Sequence, residues 1–158
     1  MTKDALNAEE SVLTEKRTAA MESLKPLLGK GGIAGARANF LAGELSVQGK
    51  DYNGALEYYK TAGAKSKKTY LASIIEFNKA YCYEMTGDNQ SAVESYKVCA
   101  ADEDFLLRSH AEFNIGRVYE AMGKSQEAYD AYQALVNRKP DLEWAKMAKT
   151  RMIALDIE

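Results

Sequence analysis

Apolar and polar positions follow a helical pattern along the chain. Ala, Leu, Glu, Lys, Tyr and Met dominate, and Val, Ile and Thr never alternate with polar residues as they would in a half-buried strand. Stretches with helical spacing are separated by short polar turns that carry glycine. The pattern predicts an all-α protein of about eight helices with no β-sheet.

The helical stretches repeat. The triplet Glu-Phe-Asn occurs at 76–78 and at 112–114, and a weaker copy, Ala-Asn-Phe, occurs at 38–40. Each copy is followed at matching distances by a small residue, a turn glycine, an alanine and a tyrosine. These series are Gly43, Ala80 and Gly116; Gly49, Gly87 and Gly123; Ala55, Ala92 and Ala128; and Tyr59, Tyr96 and Tyr132. A period of 36 to 37 residues predicts helix pairs that bury one another's apolar faces.

Each predicted pair has a plausible local chemistry. A glycine can close the first helix because it adopts the left-handed conformation at low cost. A polar residue then caps the second helix, and the candidates are Asp51, Asp88 and Ser125. The small residue allows close approach at the crossing, and the tyrosine is expected to fill the gap toward the next pair.

These residues resemble the tetratricopeptide repeat family. In the third unit the matching positions are Ile115, Gly116, Tyr119, Gly123, Ala128, Tyr132 and Pro140. In the first unit Gly49 comes one residue early, so that Lys50 takes the glycine position. Asn39, Glu76 and Glu112 replace the large aromatic residue that the family usually carries. The resemblance implies a right-handed α-solenoid of about three helix-turn-helix units with flanking helices.

The expected organisation is one domain over residues 1–158. It divides into an N-terminal helix with a glycine-rich joint, three repeats and a capping helix, at 8–32, 36–72, 73–108, 109–142 and 141–157. The longer connections between units are similar to those in tetratricopeptide domains of bacterial envelope proteins, such as the Tol-Pal-associated cell-division coordinator and ancillary proteins of the secretion translocon.

Both flanking helices are expected to be amphipathic. The N-terminal helix should end or kink at Pro26 and offers Val12, Leu13, Ala20 and Leu24 for burial. The capping helix is expected to turn one set of residues toward the stack and another toward water. The inward set is Leu142, Ala145, Met152 and Leu155, and the outward set is Lys146, Lys149 and Arg151.

The resemblance also implies a function in protein–protein interaction, as a scaffold or adaptor with no chemistry of its own. First helices line the concave face in this family, and that face is expected to bind a peptide or protein segment. The expected groove residues are Phe40, Glu44, Phe77, Asn78, Tyr81, Met85, His110, Phe113, Asn114 and Arg117. The alternative for the three phenylalanines is that they pack first helix on first helix between units.

A second interpretation is self-assembly, with the ends of the stack or the N-terminal helix pairing with another copy. The exposed flank of Val12, Leu13 and Leu24 would then form the contact with the other copy. In this interpretation the chain could be the soluble part of a membrane-anchored or periplasmic protein. The molecular mass in solution distinguishes self-assembly from a monomeric adaptor.

Charge and hydropathy argue against other partners. The net charge is −2 and no run of Lys and Arg could serve as a phosphate-binding patch, so nucleic acid is not expected. No apolar stretch approaches the roughly 18 residues of a membrane span, and the first ten residues lack the apolar segment of a signal peptide. The expected location is cytoplasmic if the chain is complete, and periplasmic or membrane-anchored if an N-terminal segment was removed.

No catalytic, metal or cofactor site is expected. His110 is the only histidine and has no partner at ligand or catalytic spacing, so it is expected to be a partly exposed helix residue. Cys82 and Cys99 are expected to be buried free thiols, with a single bridge between neighbouring helices as the alternative. The glycines at 29–32 lack the ending of a phosphate-binding loop.

Overall fold

The computed structural model describes residues 3–66, 69 and 71–155, with side chains from residue 8 onward. Within these ranges there are eight helices and no strand, so the all-α prediction is confirmed. The helices are α1 (Lys3–Leu28), α2 (Gly32–Gln48), α3 (Tyr52–Ser66), α4 (Leu71–Met85), α5 (Asn89–Ala101), α6 (Arg108–Ala121), α7 (Ser125–Arg138) and α8 (Glu143–Leu155).

The helices group into two compact units, residues 1–69 and residues 70–158. In the first unit α2 pairs with α3, and α1 packs on α2. In the second unit α4 pairs with α5 and α6 with α7, while α5 packs on α6 and α8 packs on both α7 and α6. Every predicted helix-turn-helix unit is therefore present, and the organisation of 1–158 as one domain stays a prediction.

The three turns inside the helix pairs share one geometry. The residue that closes each first helix has a positive φ, and these residues are Lys50 at 60°, Gly87 at 83° and Gly123 at 71°. The next amide donates to the carbonyl five residues earlier at 2.9 Å in every turn, from Asp51 to Ser46, from Asp88 to Tyr83 and from Lys124 to Tyr119. This is the Schellman arrangement, and Lys50 occupies the glycine position as the register predicts.

Two of the three predicted caps form. Asp51 accepts from the Gly54 amide at 2.9 Å, and Asp88 accepts from the Ser91 amide at 3.1 Å. The prediction for Ser125 is wrong because Lys124 precedes α7 and makes no side-chain cap bond. Lys124 stands 36 residues after Asp88, so the cap had been placed one residue late in the repeat.

The core of each pair is built around its tyrosine. Tyr59, Tyr96 and Tyr132 are fully or almost fully buried. A Cβ atom added to Gly43 would lie 2.5 Å from the Tyr59 ring, and one added to Gly116 would lie 2.4 Å from the Tyr132 ring. The ring therefore occupies the space that the missing side chain leaves, and burial of an apolar body of this size contributes on the order of 2 kcal/mol.

The tyrosine also reaches the following helix, as predicted. Tyr96 belongs to one core with Ala111, Ile115 and Val118 of α6. Tyr132 belongs to the next core with Ala145 and Ala148 of α8. The rings of Tyr96 and Tyr132 thus each pack within their own helix pair and against the helix that follows.

Both cysteines are buried free thiols, and no bridge joins them. The thiol of Cys99 donates to the Ser73 carbonyl at 3.3 Å. Burial raises the pKa of Cys99 to about 12, with a smaller contribution from the charge of Glu76. The thiol therefore stays protonated at neutral pH and acts as a small apolar group.

The N-terminal helix differs from its prediction. α1 continues through Pro26 to Leu28, so it does not end at the proline, and the alternative of a kink there stays a prediction. Pro26 lies in the last turn and is exposed, as is Glu22, whose carbonyl loses its helical donor, so water can satisfy that carbonyl. Val12 and Leu13 remain 48% and 51% exposed rather than buried.

The C-terminal helix differs in two residues. Leu142 precedes α8 and remains exposed, whereas Ala145 and Ala148 supply the buried face. Arg151 pairs with Glu120 of α6 instead of only facing water. The predicted end at 157 lies outside the described residues.

Gly116→Leu is expected to lower the free energy of unfolding by about 3 kcal/mol because the new side chain must displace the buried Tyr132 ring. Urea denaturation followed by circular dichroism measures this. Gly29→Leu is the matched control, since nothing lies within 4 Å of a Cβ there. Equal midpoints for the two variants would mean that the ring does not need the glycine.

Lys50→Gly is expected to raise the free energy of unfolding by about 1 kcal/mol, because glycine adopts a positive φ without the clash that a Cβ makes. The opposite substitutions, Gly87→Ala and Gly123→Ala, should each lower the free energy of unfolding by about 1 kcal/mol. Thermal and urea melts of the three variants measure both signs. A destabilised Lys50→Gly variant would contradict the shared turn geometry.

Candidate functional site

The first helices of the second unit lie side by side through a repeated aromatic contact. The ring centroids of Phe77 on α4 and His110 on α6 are 5.0 Å apart. One repeat later, the ring centroids of Phe113 on α6 and Trp144 on α8 are 5.3 Å apart. Phe113 stands 36 residues after Phe77, and Trp144 stands 34 residues after His110. α8 therefore occupies the position of a further first helix.

His110 is enclosed by aromatic rings on two sides. Its ring stacks on Trp144 with centroids 4.0 Å apart and planes 9° from parallel. Burial lowers the pKa of His110, and the nearby positive charge of Arg117 lowers it further. The imidazole is therefore neutral at neutral pH, and Phe77, His110 and Trp144 form a partly exposed row that we name the aromatic row.

A second repeated contact links the same helices by charge. Arg117 Nη2 donates to both carboxylate oxygens of Glu84, at 2.7 and 2.6 Å. Glu84 also accepts from the Tyr96 hydroxyl at 2.8 Å. Three helices, α4, α5 and α6, thus meet at one carboxylate. Burial, followed by the charge of Glu84, raises the pKa of Tyr96, which remains a neutral donor.

The next helix pair, α6–α7, repeats this arrangement together with α8. Glu120 accepts from the Tyr132 hydroxyl at 2.6 Å and from Arg151 Nε at 3.0 Å. Burial alone would raise the pKa of Glu120, but the hydrogen bonds from Arg151 and Tyr132 outweigh it and hold the pKa below its ordinary value. We call each set of tyrosine, glutamate and arginine a staple.

The first unit contains part of the same arrangement. The Tyr59 hydroxyl donates to Glu44, which lies one turn earlier in the first helix than Glu84 does in the register of the repeat. The ring of Phe40 lies 5.9 Å from the Tyr59 ring. Glu44 and Phe40, both predicted as groove residues, therefore contribute to the α2–α3 pair.

A further ion pair lies inside the α6–α7 pair. Arg138 near the end of α7 donates to Glu112 through Nε at 2.8 Å and through Nη2 at 2.5 Å. The same guanidinium donates to the Ser109 hydroxyl at 2.8 Å. This bidentate ion pair holds α7 against α6.

The predicted groove residues of the second unit separate into exposed and buried groups. Tyr81 and Met85 on α4 are 42% and 47% exposed. Phe113 and Asn114 are buried, and Phe113 packs on Tyr132 of its own pair at 5.4 Å as well as on Trp144. Phe113 is therefore a core residue. This position agrees better with the alternative that the phenylalanines pack between helices than with a groove role.

Polar groove residues also have partners within the fold. Asn114 accepts from Arg117 at 3.2 Å, in addition to the ion pair that Arg117 makes with Glu84. Asn78 and Phe77 are partly exposed on α4. Tyr81, Met85 and the aromatic row are thus the accessible aromatic and apolar side chains of this face.

Sequence reasoning missed two residues of this face, Trp144 and Arg151. Both repeat the first-helix pattern at a period of 34, since they follow His110 and Arg117 by that distance. A register of 36 to 37 residues does not reach them, and it predicts a capping helix for this segment. A search with the shorter period would have found them.

The contacts across this face are aromatic stacking and ion pairs. In the described part of the chain, no group of three or more His, Cys, Asp or Glu side chains is arranged to hold a metal ion. The thiol of Cys99 is buried and protonated. No helix among the described residues is long and apolar enough to cross a membrane.

Known proteins share the repeat. Residues 110–141 match the tetratricopeptide repeat family model, and they cover α6, α7 and the turn between them. A TPR repeat-containing protein of Treponema pallidum (strain Nichols) is 31% identical over 139 residues. The chain carries tetratricopeptide repeats. The match covers 88% of this chain but only 58% of that relative.

Solved structures show the same fold. The crystal structure of MamA aligns with a TM-score of 0.66 and 16% identity, over 98% of this chain and 88% of that one. Nearly identical TPR-like repeats from a Podosopora anserina protein assigned as a kinesin light chain align with a TM-score of 0.69 and 14% identity, over 96% and 85%. The predicted α-solenoid class is confirmed, and the similarity to envelope proteins stays a prediction.

Arg117→Ala is expected to lower the free energy of unfolding by about 1 kcal/mol, since it leaves the mostly buried Glu84 carboxylate without its cation. A double-mutant cycle with Glu84→Gln should give a coupling energy of about 1 kcal/mol. Lys97 and Glu94, both exposed on α5, provide the control cycle with a coupling of roughly 0.3 kcal/mol. Equal coupling energies in the two cycles would mean that the staple contributes no more to stability than an exposed ion pair does.

Proposed function

We propose that this chain is a non-enzymatic adaptor that binds a peptide or protein segment along its first helices. Tetratricopeptide repeats generally mediate protein–protein interaction. The observation that carries the proposal is the pair Tyr81 and Met85, which stand one helical turn apart on α4 and are both exposed. Exposed apolar side chains of this size beside an aromatic surface are typical of a peptide-binding face.

The charges around this face indicate what kind of segment would bind. Glu84 is neutralised by Arg117, and Glu120 is neutralised by Arg151. His110 is neutral because burial lowers its pKa. A highly charged ligand would have to break these pairs, so the face suits a segment with apolar anchors and few charges.

The carboxylate-tail clamp of chaperone-binding relatives does not fit this face. That clamp needs Lys, Asn and Arg at positions that Phe40, Glu44, His110 and Asn114 occupy here. Of the matching positions, Asn78 alone has the required type. Within the first compact unit, Phe40 packs with Tyr59, and Glu44, which accepts from the Tyr59 hydroxyl, is an acid where the clamp has a neutral or basic residue.

Site-specific photo-crosslinking identifies the partner. A benzophenone side chain is introduced at Tyr81 in one sample and at Val98, which is exposed on α5, in another. Extract from the source organism is added, the samples are irradiated, and the adducts are identified by mass spectrometry. We expect a defined adduct from position 81 and none from position 98; the reverse would place the interaction on the second helices.

The double variant Tyr81→Ser with Met85→Ser is expected to bind that partner at least about tenfold more weakly, because burial of each side chain contributes about 1.5 kcal/mol or more. Isothermal titration calorimetry measures the affinity. Val98→Ser is the matched control and should bind as the parent chain does. A melting temperature that falls for the double variant alone would indicate a core role for these residues and contradict the proposal.

A further inference from the structure

α8 is a first helix whose second helix is not among the described residues. Ala145 and Ala148 of α8 pack with Tyr132, much as Ala111 of α6 packs with Tyr96. The aromatic contact and the staple both recur on α8, through Trp144 and Arg151. In α6, the opposite side of the helix receives α7.

The corresponding side of α8 is exposed. Phe113 and Gly116 of α6 contact the Tyr132 ring of α7. Thirty-four residues later these positions hold Met147 and Thr150, and Ile153 follows one turn on. Met147 is 41% exposed and Ile153 is 81% exposed. We name Met147, Thr150 and Ile153 the open face of α8.

α1 has the complementary form, that of a second helix without its first helix. Arg17 of α1 donates to the carbonyl of Gln48, the last residue of α2, at 3.4 Å. At the other end of α1, the Leu28 carbonyl accepts from Asn39 at 2.8 Å. The two helices are therefore antiparallel, and residues 3–16 extend about 20 Å beyond the end of α2.

The extended half of α1 carries an apolar strip. Ala8, Val12 and Leu13 line a shallow cavity together with Glu9. Every described side chain from residue 8 to residue 16 is exposed. The strip has no cover among the described residues, and it presents side chains at the spacing of a helix–helix contact.

We propose that the open face of α8 binds the extended half of α1 from a second copy of this chain, and that the two form an intermolecular helix pair. This inference uses surfaces other than the proposed peptide-binding face and does not rest on it. Because two different surfaces of the chain meet, the contact is heterologous, that is head to tail, and can propagate from copy to copy.

Charge favours this occupant. In the α6–α7 pair the first helix supplies Glu112 and the second helix supplies Arg138. In α8 the position of Glu112 is taken by Lys146, and Lys149 lies one turn on, both exposed. A second helix that matches α8 should therefore carry acidic residues, and the extended half of α1 presents Glu9, next to Glu10, which pairs with Arg17 at 3.4 Å.

Side-chain size favours it as well. Thr150 stands where Gly116 accepts the Tyr132 ring, so the helix that covers α8 cannot bring a tyrosine to that point. α1 offers Ala8 and Val12 instead, which are short enough to meet a threonine.

Mixing of two variants tests the head-to-tail contact. Val12→Ser with Leu13→Ser removes the strip on α1, and Met147→Ser with Ile153→Ser removes the open face of α8; all four residues are exposed, so both variants should fold. Analytical ultracentrifugation of the 17.5-kDa parent chain should show a mass that rises with concentration. Each variant alone should stay monomeric, and their equimolar mixture should give dimers and nothing larger.

Leu106→Ser is the control, since Leu106 is almost fully exposed in the α5–α6 loop and away from both surfaces. This variant should assemble as the parent chain does. A charge exchange gives an independent test: Glu9→Lys and Lys149→Glu should each weaken assembly at least about tenfold, and the two variants mixed should recover it.

Two results would overturn the proposal. One is a parent chain that remains monomeric at the highest concentration reached. The other is a variant of the open face that still assembles, which would mean that α8 takes no part and that α1 has another partner. A mixture of the two double variants that stays monomeric would likewise exclude the pairing of these surfaces.

Discussion

A buried tyrosine hydroxyl needs an acceptor, and that requirement organises the second unit of this protein. The ring of Tyr132 fills the space beside Gly116, which brings its hydroxyl to the inner side of α6. There Glu120, whose side chain is 14% exposed, accepts the bond, and a cation balances its charge. Arg151 of the following first helix supplies it. One buried ring thus determines a glycine, an acid and a base on two other helices.

The staples also define what is left for a partner. Most charged groups on the first helices already have an opposite charge within the fold, as Glu84 has Arg117. His110 lies between aromatic rings and is neutral. The groups that remain accessible are Tyr81, Met85 and the edges of the aromatic row. Packing therefore makes this face more apolar than its composition suggests.

The first and last helices follow the same rules, although neither has its pairing helix among the described residues. α8 carries the aromatic contact and the staple of a first helix, while α1 packs on α2 as a second helix would. In a repeat fold, each unit stabilises its neighbours, so an unpaired helix presents apolar surface that a further helix can cover. The reversed charge at Lys146 and the acidic half of α1 make another copy of the chain a suitable cover.

The amino-acid sequence by itself determined the helical class, the repeat and its turns. The recurring series of small residues, glycines and tyrosines predicts helix pairs, and the one-residue shift at Gly49 was enough to place Lys50 in the left-handed conformation. These features depend on contacts within about 20 residues, where spacing along the chain sets the geometry. The cap at Ser125 failed because the period varies by one residue.

Only the tertiary structure decided the roles of the groove residues. Whether Arg117 meets Glu84, and whether His110 stacks on Trp144, depends on the rotation and offset of helices more than 30 residues apart. A shift of one residue in that offset would turn Phe113 from the core toward solvent. Periodicity shows which side chains share a helix face, but the neighbouring helix determines which of them are buried, paired or left for a partner.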